Sequence, residues 1–274
     1  LDLWPDTVFA AGYGSAGTVV KPAKALMDLW CRAMYNSSSA VAYISPGVGD
    51  VLASRGVDPQ KLRYIPMWAD ERTFHPQGQD LRGTLGIDDD AVICLYAGAL
   101  GHAQGLETLI EAARLVKDPR FVCLIAGSGV AEHELRVRAA DVGNVRFLGR
   151  VPQHEMTNLM ATADLTYVSL NDHPLAGITM PSKTQASLAA GKAVLGAAFG
   201  DLASLIQDRG VGLNANPGDP GAICHALNRA TALGRLGLRE LGMVARRVYE
   251  EEFSLEMGVS RVEQTLSEAM GMAR

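Results

Sequence analysis

From residue 91 onward the chain alternates short apolar runs with segments whose apolar residues recur at helical spacing, and this alternation restricts the fold more than any other feature. Residues 91–97 (AVICLYA) and 121–126 (FVCLIA) are apolar runs of strand length. Between them Leu106, Leu109, Ile110, Ala113 and Val116 fall on one face of a helix. Further strands are predicted at 145–148, 164–170 and 193–198, with helices at 131–140, 155–161 and 181–190. The expected class is α/β, an open and mostly parallel sheet that binds ligands at the carboxyl ends of its strands.

The first 66 residues carry a shorter version of the same rhythm. A helical pattern at 18–35 precedes a short apolar run at 40–44, a helix candidate at 46–54 and a strand at 62–66. Residues 67–79 hold Trp68, Asp70, Phe74, His75, Pro76 and Gly78 without periodicity and read as a connection between domains. Gly12, Gly14 and Gly17 spell G-x-G-x-x-G, but Pro5 interrupts the run before them and residues 35–40 offer no carboxylate for a ribose. They are read as a loop, and a nicotinamide dehydrogenase would rest on them alone.

A length of 274 residues accommodates one to two domains. The net charge of -5 and pI near 5.7 leave no electrostatic footprint for nucleic acid. No apolar run reaches the roughly 18 residues a membrane span needs. Cys31, Cys94, Cys123 and Cys224 lie far apart, without metal-ligand spacing, and are expected to be buried thiols in a reducing cytoplasm. The acidic run 88–90 is read as a solvated turn, so no metal site is expected. The chain opens on Leu1 and is expected to be a fragment.

Residues 172–195 (DHPLAGITMPSKTQASLAAGKAVL) concentrate the candidate chemistry. Thr179 and Pro181 mark a helix start and Gly191 its stop, which places Lys183 in the first turn, beside free N–H groups and the positive end of the helix dipole. Such a terminus holds an anion; the alternative is an ordinary capped helix with a solvated lysine. The loops at Gly98–Gly101 and Gly127–Gly129, the loop at His173 and the Lys183 helix start all follow strands and could converge on one cleft. Gly98 and Gly101 let backbone approach a ligand, or make a plain strand-to-helix turn. His102 and His173 are loop histidines that either act there or are solvated.

The order LDLWPD, SPG at 45–47, YIPMWADERTFHP at 64–76, YAGALGHAQGLETLIEAA at 96–113, FLGRVP at 147–152 and MPSKTQASLAAGKAVLG at 180–196 resembles glycosyltransferase family 4, in its bacterial polysaccharide branch of colanic-acid and O-antigen type. The resemblance implies the GT-B type of fold, two Rossmann-like domains facing across a cleft. Residues 1–66 would be the end of the N-terminal acceptor domain, most of it missing, with 67–76 the interdomain hinge. Residues 77–245 would hold the donor, and 246–274 would return as a helix to the N-terminal domain. The fragment alone is not expected to be a competent catalyst.

By the same resemblance, Gly98, Gly101, His102 and Gly127 belong to loops around the donor diphosphate. Arg150 and Val151 lie beside the nucleobase, Ser182 and Gln185 support the site, Lys183 faces the diphosphate and Asp2 enters the cleft from the acceptor domain. Many members carry two Glu separated by seven residues where this chain has Ile178 and Ala186, and an Arg and a Lys where it has Ala99 and Gln104. The implied reaction is retaining transfer from a nucleotide diphosphate sugar, a UDP-sugar first, with no cofactor or metal, to a lipid-linked or glycan acceptor at the cytoplasmic membrane face, where the protein could associate peripherally. A nucleotide-sugar binding module without turnover and a sugar-nucleotide epimerase remain alternatives.

Overall fold

The computed structural model describes residues 20–170 and 175–271. Asp2, the glycines at 12, 14 and 17, and His173 lie outside them. The N-terminal part consists of α1 (Val20–Ser37), β1 (Val41–Tyr43), α2 (Pro46–Ser54) and β2 (Leu62–Tyr64), with β1 and β2 paired in parallel. Residues 65–81 then run without a regular element to the single turn α3 (Arg82–Leu85).

The larger unit alternates as expected: β3 (Val92–Ala97), α4 (Leu106–Leu115), β4 (Phe121–Ala126), α5 (Glu132–Arg138), β5 (Val145–Gly149), α6 (Met156–Thr162), β6 (Leu165–Ser169), α7 (Ser182–Ala189), β7 (Ala193–Ala197). The pattern continues through α8 (Gly200–Arg209), β8 (Gly212–Ala215) and the long α9 (Pro220–Val248), then α10 (Leu255–Ala269). The strands stand in the order β5-β4-β3-β6-β7-β8, and every pairing among the described residues is parallel. Successive strand residues face opposite sides. Cys94 and Tyr96 pack with α4, α5 and the first half of α9, while Ile93 and Leu95 pack with α6. Two covered faces explain why the strands read as unbroken apolar runs rather than alternating ones.

Helix α8 and strand β8 were not anticipated. Strand β8 has four residues, GLNA, two of them weak strand formers, and its place is set by pairing with β7. Helix α9 bends at Gly234, whose φ of 63° and ψ of -178° break the helical path. The sequence boundary at 245/246 falls inside α9, because its amphipathic face continues across that point. After it, α10 docks on the N-terminal part: Arg63 pairs with Glu268 at 2.8 Å and the Arg261 guanidinium lies 5.5 Å from the Tyr64 ring. All four cysteines are buried and free.

Charged groups are buried at the amino ends of β3, β6 and β7. Lys192 Nζ donates to the carbonyls of Ala161 and Ala163 at 3.0 and 2.8 Å. Burial pushes its pKa down to about 8, with Asp164 acting in the opposite direction. Between that value and about 10.4 the unfolded chain binds more protons at this lysine than the native one, so its contribution makes stability rise with pH. The unfolding free energy of the wild type is expected to gain about 2 kcal/mol on that of Lys192→Met between pH 7.5 and 9.5, checked by denaturant titration at both pH values.

Candidate functional site

The chain runs from β3 outward through β4 to β5, then returns to the other side of β3 with β6 and continues to β7 and β8. The order therefore reverses between β3 and β6, and a crevice opens at the carboxyl ends of those two strands. Gly98 follows β3 directly, and α7 is the helix after β6. The Gly98 and Gly127 loops and the start of α7 meet here because the topology brings them here.

The glycine loops are laced together by backbone. Gly98 N–H donates to Ala126 O at 2.9 Å, Gly127 N–H to Gly149 O at 2.7 Å and Leu100 N–H to Ser128 O at 3.0 Å. Gly127 has a φ of 139°, and a Cβ on it would lie 1.8 Å from the Gly98 carbonyl oxygen. Its function is thus to let the two loops touch. Tyr96, buried at the end of β3, donates its hydroxyl to Ala99 O at 2.6 Å and pins the next turn. Gln104 accepts the Gly101 N–H at 3.1 Å on its side chain and the Ser169 hydroxyl on its carbonyl, so it closes the loop on itself.

Lys183, the second residue of α7, reaches back to this loop. A Cβ on Gly98 would lie 2.5 Å from Lys183 Cε and 2.9 Å from its Nζ, and the ammonium stands 5.2 Å from the Tyr96 ring centroid. Burial lowers the lysine pKa. Among the described residues no carboxylate pairs with it. A partly desolvated ammonium beside a glycine turn, at the positive end of a helix, is a site for a polyanion. Beneath it opens a cavity of about 390 Å³ whose walls include Trp68, Phe74, Met156, Met160, Ser182 and Ala186.

The other candidates divide. Ser182 and Lys183 line the cavity with Gly98, whereas Gln185 is 2% exposed and turned into the protein, its Oε1 without a hydrogen-bond partner. Gly101 and the exposed His102 stand on the next turn of the loop. Arg150 is exposed beyond β5, and Val151 packs on the core beside Met156. Ala186 lies on the cavity wall, but Ile178 points elsewhere: its side chain meets Gly47, and its carbonyl accepts the Ser45 hydroxyl at 2.6 Å. Tyr96 and the wall formed by Trp68, Phe74, Met156 and Met160 had not been read as site residues. The signal for Tyr96 was its place at the carboxyl end of a strand; the others come from segments that only folding brings together. Among the described residues no cluster of three His, Cys, Asp or Glu is placed to hold a metal ion, and no helix is long and apolar enough to cross a membrane.

The family profile described as glycosyl transferases group 1 matches residues 78–239, which take in the whole sheet and both glycine loops. The chain belongs to this family. WbjE of Pseudomonas aeruginosa, named as a probable glycosyltransferase, is 26% identical over 98% of this chain and 68% of its own length. WcaI of Escherichia coli, named for colanic acid biosynthesis, is 28% identical over 81% of this chain and 56% of its own. The chain thus spans 68% of the length of the first of these relatives and 56% of that of the second. Among solved structures, Anabaena HepE in complex with UDP superposes with a TM-score of 0.76 at 18% identity, over 89% of this chain and 68% of HepE. WaaG, described as a glycosyltransferase of lipopolysaccharide biosynthesis, gives a TM-score of 0.67 at 18% identity over 98% of this chain. At such identities the likeness shows the fold, and that fold is the GT-B type.

Proposed function

We propose that this group 1 glycosyl transferase holds a nucleotide diphosphate sugar, a UDP-sugar first, between the Gly98 loop and the start of α7. It transfers the sugar with retention to a lipid-linked or glycan acceptor in cell-surface polysaccharide assembly. The observation that carries the reading is Lys183, brought against Gly98 at the point where the strand order reverses. When the bond from the anomeric carbon to the diphosphate oxygen breaks, the departing diphosphate keeps the electron pair, and the acceptor oxygen bonds the same carbon while its hydroxyl proton passes to the departing diphosphate. Charge growing on the diphosphate is met by the ammonium and by the free N–H groups of the first turn of α7, held in place beforehand and partly shielded from water. Binding of UDP to HepE supports the choice of nucleotide.

The arrangement needs no metal for this step, since Lys183 and backbone dipoles supply the countercharge. Residues 1–66 belong, in this reading, to the acceptor domain, with 67–76 as hinge, 77–245 as donor domain and 246–274 as the returning segment. Ala186 on the cavity wall favours one second reading, a module that binds donor without turnover, because no carboxylate reaches the ribose from that position.

Calorimetric titration with UDP, GDP and their sugar conjugates tests the proposal. One nucleotide diphosphate is expected to bind selectively, and Lys183→Ala to weaken it by about 1 to 3 kcal/mol, the scale of a charge-assisted contact. Equal binding by wild type and Lys183→Ala would remove this site. Donor binding without turnover when an acceptor is supplied would select the binding module.

A further inference from the structure

A cavity of about 810 Å³ lies at the opposite end of the sheet from the donor loops. It opens beside Asp164 and Lys192, which directly precede β6 and β7, while Gly98 follows β3. Strand β6 has five residues, so the two sites stand about 16 Å apart at roughly 3.3 Å per residue.

Its lining is basic and apolar together. Lys192, Arg235, Arg239 and Arg246 face it against the single carboxylate of Asp164. Three of the four cations are engaged. Arg235 pairs with Asp80 at 3.3 Å and with Asp164 at 3.5 Å, and Arg246 pairs with Glu250 at 2.7 Å and donates to Ala189 O at 2.6 Å. Lys192 is satisfied by two carbonyls, which accept its protons without cancelling its charge. Arg239 is exposed and has no ion-pair partner among the described residues. Lys192 and Arg239 therefore leave a local excess of positive charge. The same wall carries Leu236, 78% exposed, and Met243, 57% exposed, both on the second half of α9.

The geometry points to a second anion site here, separate from the donor site, that takes a phosphate-bearing ligand with an apolar arm. The bend at Gly234 makes the hollow possible: the second half of α9 turns Arg235 and Arg239 towards the start of β6 and β7, where one straight helix would carry them past it. Phosphate lies between Arg239 and Lys192, and the apolar arm lies along Leu236 and Met243. A lipid headgroup and a soluble phosphate compound share this chemistry.

The test compares wild type, Arg239→Glu, Leu236→Ser and Lys183→Ala in two assays, cosedimentation with phosphatidylglycerol vesicles and calorimetry with inorganic pyrophosphate. Arg239→Glu is expected to weaken binding about tenfold or more and to leave UDP binding intact, while Lys183→Ala leaves this site intact. Arg239-dependent vesicle binding, further reduced by Leu236→Ser, identifies a lipid. Arg239-dependent pyrophosphate binding without vesicle binding identifies a soluble phosphate compound. If Arg239→Glu changes neither assay, or neither ligand binds, the inference is overturned, whatever the UDP titration shows.

Discussion

Replacing Gly127 by alanine is expected to abolish nucleotide binding and to lower stability by roughly 2 to 6 kcal/mol, summing a strained positive φ with overpacking. The added methyl would sit 1.8 Å from the Gly98 carbonyl oxygen, and that oxygen belongs to backbone, which cannot swing aside as a flexible side chain could. To make room, the Gly98 loop must leave the end of β4, taking with it the surface against which Lys183 rests. Gly210→Ala is the control. Gly210 also has a positive φ, 62° in the left-handed region against 139° at Gly127, but nothing lies within 4 Å of the new methyl. It is expected to cost about 1 to 2 kcal/mol from conformation alone and to spare nucleotide binding. Denaturant titration and UDP calorimetry on the two variants separate loop packing from backbone strain. If Gly127→Ala binds UDP as the wild type does, Gly127 does not set the site.

Arg82→Met is expected to destabilise the protein by about 3 to 5 kcal/mol, read as a fall in melting temperature of roughly 10 °C. Arg82 is 3% exposed, and it pairs with Asp164 at 2.5 Å and with Asp80 at 2.6 Å. Asp164 also accepts the Ile93 N–H at 2.8 Å, which ties the start of β6 to β3. Burial raises the Asp164 pKa despite the guanidinium beside it, so desolvation offsets much of the attraction within the pair. Removing the arginine leaves that desolvated charge with only the more distant Arg235, at 3.5 Å, to pair it. The double variant Arg82→Met, Asp164→Leu is therefore expected to recover part of the loss, although the Ile93 N–H stays unpaired. A double variant less stable than Arg82→Met would show that the Ile93 N–H and Arg235 hold Asp164 favourably even without Arg82.

Both sites illustrate how far the amino-acid order reaches. Most strands of the six-stranded sheet could be read from it because they are buried on two faces, which leaves an unbroken apolar run such as AVICLYA. The start of α7 was legible too. Proline at the helix start and glycine at its end act through local backbone geometry, and the structure gives Pro181 extended dihedrals and Gly191 a φ of 64°. Strand β8 was not legible, since four residues containing glycine and asparagine become a strand only when β7 offers them hydrogen bonds. Gln185 shows the limit from the other side. Its residue type and place two residues after Lys183 suit a ligand contact, yet two steps along a helix turn a side chain by about 200°, and that rotation sends it into the core.

The sequence by itself determined the alternating α/β pattern, the ordered motifs that resemble one glycosyltransferase family, and the position of Lys183 in a first helical turn. These follow from periodicity, capping and spacing, all of which act over a few residues. Only the tertiary structure decided which loops meet. Reversal of strand order between β3 and β6 brings Lys183 against Gly98 across 84 intervening residues of chain. A single bent helix places Arg235 and Arg239 over the far end of the same sheet. Such juxtapositions depend on the free energy of burying both faces of a sheet at once, a property of the packed whole that no short stretch of residues carries.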